Sequence, residues 1–506
     1  MNYTEKVEKW GIFECSVKGK TDGNPFIDYS ITAHFESESE CKTVNGFYDG
    51  DGIYKVRFMP SFEGTYKFTV DGSFSDDKCG GEFTVFKPSE NNHGQVRVHN
   101  KFHFQYADGT PYYPLGTTCY VWELQSDELI AQTLESLKNS PFNKIRFCVF
   151  PKHYCYNLGE PRSYPYEGKP MDGSVLTKDN FWNYNAHSEG NCWDFERFCP
   201  KHFQHIEYCI SKLQKMNIEA DIILFHPYDR WGFSAMDSET DMRYLKYVTA
   251  RFSAYRNVWW SLANEYDFMQ EKSVEHWNEI GEFLMNNDSY GHLRSIHNGM
   301  KFFDHTKPWV THCSIQRQDI YRTAECTNEW REAYGKPVVL DEIAYEGNLK
   351  DGWGNISAQE LVRRFWEAAC RGGYGGHSET YIDENDVIWW SHGSVLKGES
   401  PSRIAFLKKV LEDAPAGGLR PGETAWDEVM AVPENEHIAK ETGYHLFYYS
   451  FMRPSFRDFH FDDDNIYCAD VIDTWNMTVK NAGQFKGWFR VELPGREFMA
   501  VRIRKR

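Results

Sequence analysis

Between about residues 97 and 415, strand-like and helix-like segments alternate, and this alternation constrains the chain more than any other feature. Strands separated by helices form a parallel sheet covered by those helices. Eight strands are expected near 112–118, 144–150, 219–225, 257–264, 293–298, 309–314, 337–343 and 386–391. Helical patterns fall between most of them, at 126–139, 200–216, 241–255 and 358–372. Ser126 is a good N-cap, with acidic residues in the turn that follows. Eight such units predict an α/β protein built on a (β/α)8 TIM barrel, although the segment is longer than the roughly 250 residues such a barrel usually needs. Much of the excess sits in 151–193, whose many aromatics suggest an ordered wall at the barrel mouth.

A chain of 506 residues is too long for one core, and the flanks read differently. Residues 1–90 show short alternating strands at 9–17, 28–36, 53–60 and 65–72, which predicts an immunoglobulin-like β-sandwich. The stretch 49–70 reads as a hairpin turning at Glu63-Gly64. Residues 418–506 return to strands, as in 443–451, 465–475, 485–494 and 498–505, and predict a small antiparallel β domain. The barrel domain is therefore placed at 97–415.

The net charge of −18, with no basic cluster, argues against a nucleic-acid partner. No apolar run is long enough to span a membrane, so no membrane association is expected. Thirteen cysteines cannot all pair, and no CxxC pair occurs, so zinc-ribbon and redox motifs have no support. Reduced thiols and a charged N-terminus without an apolar stretch lead to the expectation of a cytoplasmic protein. Aromatic residues make up 16% of the chain. Most of them fill cores, but the C–H faces of sugar rings also stack on aromatic faces.

Reactive groups of a TIM barrel sit at the C-terminal ends of its strands. The fourth expected strand ends in Asn264-Glu265, within VWWSLANEYD (258–267). The seventh ends in Asp341-Glu342, within VVLDEIAYEG (338–347). A lone Glu after a strand is usually a solvated loop residue or an ion-pair partner. Two of them at opposite rims of one barrel form the carboxyl pair that retaining glycoside cleavage requires, one protonated and one ionised. Asp341 is expected to point into the outer helical layer. His226, His297 and His312 end the third, fifth and sixth strands, and Asp229 and Trp231 follow on the loop after the third. These residues lack metal-site spacing, so neither a metal nor a cofactor is expected. Trp389 and Trp390 would alternate on the eighth strand, so that only one faces the mouth as a stacking platform. Trp122 and Glu123 after the first strand, and Glu379 and Tyr381 before the eighth, are further candidate sugar-lining residues.

The Asn-Glu of the fourth strand and the Glu of the seventh resemble the signature of glycoside hydrolase clan A. The whole layout resembles the apiosidase-like catalytic domain with an N-terminal immunoglobulin-like sandwich and a C-terminal β domain. The segments YYPLGTTCYVWEL (112–124), KIRFCVFP (144–151) and LFHPYDRWGF (224–233) carry it together with the two runs above. The resemblance implies Glu265 as acid/base and Glu342 as nucleophile. It also implies Asn264 on the sugar 2-hydroxyl, Arg146 beneath the nucleophile, and His226 as a polar sugar contact. The expected activity is exo-acting, retaining hydrolysis of a terminal β-type glycosidic bond in a carbohydrate or plant glycoside, an apioside or another pentoside or hexoside. An endo-β-glycanase of the same clan and a non-catalytic carbohydrate-binding protein are the alternatives. β domains beside barrels often mediate assembly, so a homo-oligomer is allowed, although no residue demonstrates one.

Overall fold

The computed structural model describes residues 1–74, 79–175, 190–424 and 428–506. Its centre is an eight-stranded sheet of β1 (Gly116–Thr118), β2 (Lys144–Cys148), β3 (Glu219–Phe225), β4 (Val258–Ala263), β5 (Arg294–Ser295), β6 (Cys313–Gln316), β7 (Val338–Glu342) and β8 (Tyr374–His377). The order is 5-4-3-2-1-8-7-6, and every pairing is parallel. A parallel bridge from His297 to Ser314 joins β5 to β6, and the His297 ring lies 2.9 Å from the Ser314 hydroxyl. That bridge nearly closes the sheet into a barrel, so the chain is a TIM barrel with flanking β domains. The strands are buried on both faces, which is why β3 reads as the continuous run ADIILF rather than as an alternation.

Helices wrap the sheet, and four of them begin at side-chain caps. Ser126, Asp237, Ser273 and Ser357 each accept a hydrogen bond from a backbone N–H of the first turn. Residues 299–312, between β5 and β6, hold no helix. A three-stranded meander, 96–99, 103–106 and 111–112, covers the floor. There Phe104 and Tyr112 pack against Trp259, Leu293 and Val339.

The eighth strand lies elsewhere than the sequence suggests. It is the glycine-rich Tyr374–His377, whereas Trp389–His392 is a short helical turn. A strand here must pass very close to β7. A Cβ on Gly376 would fall 2.5 Å from the Asp341 carbonyl oxygen, so only glycine fits.

The N-terminal sandwich pairs a four-stranded with a five-stranded sheet around Phe13, Phe35, Phe58, Phe68 and Phe83. The stretch 49–70 is not a hairpin. Ile53–Phe58 lies in the first sheet and Gly64–Gly72 in the second. Phe58 stacks on Phe35 of the facing sheet at 4.1 Å, so the turn between them crosses the core instead of continuing one sheet. Arg57 fixes the sandwich to the barrel by reaching both oxygens of Glu207, at 2.6 and 3.0 Å, on the helix Pro200–Lys215. The C-terminal domain is a six-stranded sheet with a two-stranded ribbon, 456–460 and 488–492. Within 151–193, Tyr166–Lys169 pairs with Cys192–Phe198, and residues 176–189 lie outside the described residues.

Candidate active site

The barrel mouth gathers Glu265, just past β4, and Glu342, the last residue of β7. Both are buried, at 7% and 4% exposure. Glu265 has a left-handed backbone, φ 52°, a conformation a non-glycine residue keeps only where its surroundings enforce it. Its Oε1 accepts from the Gln316 amide at 2.9 Å. Its Oε2 accepts from the Asn264 amide at 3.0 Å and from the Tyr228 hydroxyl.

Glu342 reaches the mouth because of an irregularity in the ladder. From one pairing to the next, β6 advances from Ser314 to Gln316 while β7 advances from Val339 to Glu342. The extra residue on β7 is a bulge, and it turns two consecutive side chains inward. Asp341 points into the barrel, not into the helical layer, and meets Lys144 at 2.7 Å. Glu342 Oε1 accepts from the Arg146 guanidinium at 3.2 Å and from the Tyr120 hydroxyl.

Asn264 ties the two acids together. Its amide nitrogen donates to Glu265, and its oxygen accepts from Arg146 at 2.9 Å and from Tyr120 at 3.2 Å. Arg146 and Tyr120 both also touch Glu342, so the two carboxyl groups share one hydrogen-bonded network.

Their environments push them in opposite directions. Burial, followed by the negative charge of Glu342, moves Glu265 up to about 7. The Tyr228 hydrogen bond, Lys152 and Gln316 pull the other way without prevailing. Burial also raises Glu342, but His297, Arg146 and Tyr120 outweigh it and hold the carboxyl below its ordinary range. His297 would act most strongly as a cation, yet burial pushes its imidazole down to about 4, so it is neutral above that pH. Arg146 is the standing charge beside Glu342. The Tyr345 hydroxyl lies close by without full hydrogen-bond geometry.

The other sequence candidates divide. His297 stands 3.6 Å from Glu342 Oε1. Trp390 packs edge-on against Tyr120 at the mouth, 5.3 Å between centroids. Trp389 is core, its indole donating to Thr117 at 2.9 Å. A helical turn, not strand alternation, separates the two tryptophans. Trp231 and Lys152 line a small cavity of about 110 Å³ beside the mouth.

Five candidates stand away from the carboxyl pair. Asp229 spends its oxygens on the backbone N–H groups of Trp231, Gly232 and Ser234, so it shapes the loop. His226 faces the Phe150 carbonyl at 3.2 Å, behind the mouth. His312 lies on the floor against Phe104 and Trp259. Trp122 is buried against Phe147 on the outer side of β2. Tyr381 donates to Glu346 at 3.2 Å, on the rim near the helix Ser400–Glu412.

Sequence reasoning does not reach Tyr120, Tyr228, Lys152, Gln316 or Tyr345. Tyr120 and Tyr228 lie two and three residues past β1 and β3, much as Glu265 lies two past β4, and this strand-end position is the signal they carry in the sequence. Among the described residues no group of three or more His, Cys, Asp or Glu side chains could hold a metal ion.

The family model of the apiosidase-like catalytic domain matches residues 98–439. Models of two domains of unknown function, DUF5060 and DUF5605, match 6–73 and 426–504. The structure of a glycoside hydrolase candidate from Bacteroides vulgatus ATCC 8482 is 37% identical, covers 99% of this chain and 100% of its own, and superposes with a TM-score of 0.90. A glycoside hydrolase family 5 protein from the same organism shares the fold at 17% identity and a TM-score of 0.58, over 83% of this chain and 94% of its own. Among curated proteins no sequence matches.

Proposed function

Since the chain belongs to the apiosidase-like catalytic domain family and is a glycoside hydrolase, we propose that it cleaves a terminal β-type glycosidic bond with retention, by double displacement through Glu342 and Glu265. One observation carries this reading. Two buried carboxyls share one network through Asn264, and one is held ionised while the other keeps a proton up to about pH 7. Retaining chemistry needs that division of labour.

In the first half-reaction a Glu342 oxygen attacks the anomeric carbon. The bond to the leaving oxygen breaks, and that oxygen takes the Glu265 proton. In the second, water attacks the same carbon, its proton passes to Glu265, and the ester bond returns its electron pair to Glu342. Asn264, held by Arg146 and Tyr120, would meet the sugar 2-hydroxyl. Trp390 offers the stacking face. The substrate is a carbohydrate or glycoside, and the family description makes apiosides the first to try. Exo action is supported by the start of the 151–193 insert, where Lys152, Asn157, Gly159 and Glu160 line the small cavity beside the mouth. All thirteen cysteines are free thiols, which supports residence in a reducing compartment such as the cytoplasm.

The test is proton NMR of the first-formed sugar from aryl and plant glycosides. Retention of the anomeric configuration is expected, and Glu342→Ala should lose turnover and give the inverted azide adduct when azide is added. Inversion by the wild type, or full activity of Glu342→Ala, would overturn the proposal. kcat/KM should follow a bell, falling at low pH as Glu342 takes a proton and near pH 7 as Glu265 loses one.

A further inference from the structure

Lys152 follows β2, is 2% exposed and borders the small cavity beside the mouth, and among the described residues no carboxylate lies at ion-pair distance from its ammonium. A buried cation left in that state is costly, so its surroundings must compensate. Aromatic faces supply the compensation. The ammonium lies 3.2 Å from the centroid of the Tyr120 ring, 4.3 Å from Tyr228, 4.9 Å from Trp390 and 5.6 Å from Tyr154. The two nearest rings are not interchangeable with the rest. Tyr120 donates its hydroxyl to Glu342, and Tyr228 donates its hydroxyl to Glu265. One cation therefore grips the two phenols that serve the two carboxyl groups.

Resting on the retaining reading above, we propose that Lys152 is a positioning residue: it holds both tyrosine hydroxyls on their carboxylates, and its charge helps Glu265 change from acid to base between the half-reactions. The physical sequence is direct. Before attack, the negative charge of Glu342 opposes ionisation of Glu265 and Lys152 favours it, and the two influences partly cancel. Once Glu342 is an ester its charge is gone, while that of Lys152 remains. The balance then favours the Glu265 carboxylate, the form that accepts the proton of the incoming water.

The other groups facing Lys152 do not replace it in this role. The phenols and Cys148 stay protonated through neutral pH, and His226 stays neutral. Arg146 is spent on Glu342 and Asn264. Lys152 itself is pushed down to about 8 by burial, although Cys148, Glu265 and Glu342 pull it upward, so it keeps its charge across the working range.

The experiment compares wild type, Lys152→Met and Lys152→Arg on an aryl glycoside that the wild type turns over, with kcat and kcat/KM followed against pH. In Lys152→Met the alkaline limb should move up by about one unit, because removing a cation raises a carboxyl pKa. kcat should fall at least tenfold and KM should fall with it, because a slowed second half-reaction lowers both. A burst of released phenol should appear as the glycosyl-enzyme accumulates. Lys152→Arg should keep the limb within a few tenths of a unit of wild type. If Lys152→Met melts below the assay temperature, Lys152→Gln is read in the same way. A Lys152→Met profile that superimposes on wild type after scaling, or a change confined to KM, overturns the inference. Glu342→Ala and Glu265→Ala run alongside. If they remain active, the retaining reading itself fails. If they are inactive and the Lys152 limb does not move, only this inference fails.

Discussion

Two layers of charge lie one above the other inside the barrel, and they are built to opposite ends. In the lower layer Lys144 sits between Asp221 and Asp341, at 2.6 and 2.7 Å, and the Ser314 hydroxyl adds a donor to Asp341. In the upper layer Arg146 lies between Asn264 and Glu342, while Glu265 stands opposite with neutral donors only. Lys144 and Arg146 are two residues apart on β2, so they point the same way one storey apart. Asp341 and Glu342 are adjacent on β7 and face inward together because of the bulge. The lower layer holds both its acids on one lysine, with Asp341 kept below the ordinary carboxyl range, against burial, by Lys144 and Arg146 and Asp221 raised by burial, and neither faces the mouth. The upper layer leaves two acids facing each other with unequal compensation, and that imbalance splits their proton affinities. The same residue types give scaffold below and reactivity above, and the difference lies in what completes each shell.

Removing one member of each layer should have opposite effects on turnover and stability. Glu342→Gln should lower kcat on the order of 10⁴-fold or more and cost less stability than Lys144→Met, because Arg146, its buried ion-pair partner, keeps the Asn264 oxygen as an acceptor. Lys144→Met should do the reverse. It leaves Asp221 and Asp341 facing each other without their cation, at a cost of about 3–5 kcal/mol. Chemical denaturation and turnover per folded molecule, measured on both variants, check the contrast. Equal stability loss in the two would mean that the layers are not distinct in kind.

A smaller effect sharpens the point with another buried acid. Glu123 is fully buried after β1, and among the described residues neither carboxyl oxygen has a hydrogen-bond partner. Burial raises its pKa well above the ordinary value of 4.5. A group raised in the folded state gives stability that is complete below its unfolded pKa and is lost as pH rises toward the folded one. Wild-type stability should therefore fall above about pH 4.5, with a contribution of up to about 1.4 kcal/mol per pH unit from this residue. Glu123→Gln should flatten that slope in denaturation curves taken between pH 4.5 and 8. An unchanged slope would show that Glu123 is compensated after all.

The site was legible in part, for a physical reason. Asn264-Glu265 and Asp341-Glu342 end apolar strands, and strand ends of a barrel converge by geometry alone, so a local pattern identifies residues far apart in sequence. Tyr120, Tyr228 and Gln316 reach the carboxyls, and Lys152 reaches the two tyrosine rings, from four different strand ends, and no local pattern says how far each side chain extends. The bulge that brings Glu342 onto the inward face beside Asp341 is a matter of pairing between β6 and β7, and VVLDEI shows only an ordinary strand. The eighth strand was misplaced for the opposite reason. VIWW has the apolar, β-branched and aromatic look of a strand, while YGGH has little side chain to read. Closeness to β7 demands glycine at 376, and that demand is tertiary. The flanking β strands were legible because one face of each is solvated and their alternation survives.

The smallest expected effect separates the mouth from its rim. Tyr228 donates to the Glu265 carboxyl, whereas Tyr381 donates to Glu346 on the rim. A donor to the ionised form lowers a carboxyl pKa, so removing it raises that pKa. In Tyr228→Phe, Glu265 should hold its proton to higher pH and the alkaline limb of kcat/KM should move upward from its position near 7. kcat should fall about tenfold, the scale of one lost hydrogen bond to a charged group. Tyr381→Phe should leave the limb where it is, since the Tyr381 hydroxyl serves another acid. If both substitutions shift the limb alike, Glu265 is sensing the rim as a whole, and the contrast between a tuned mouth and its scaffold would have to be redrawn around Glu346.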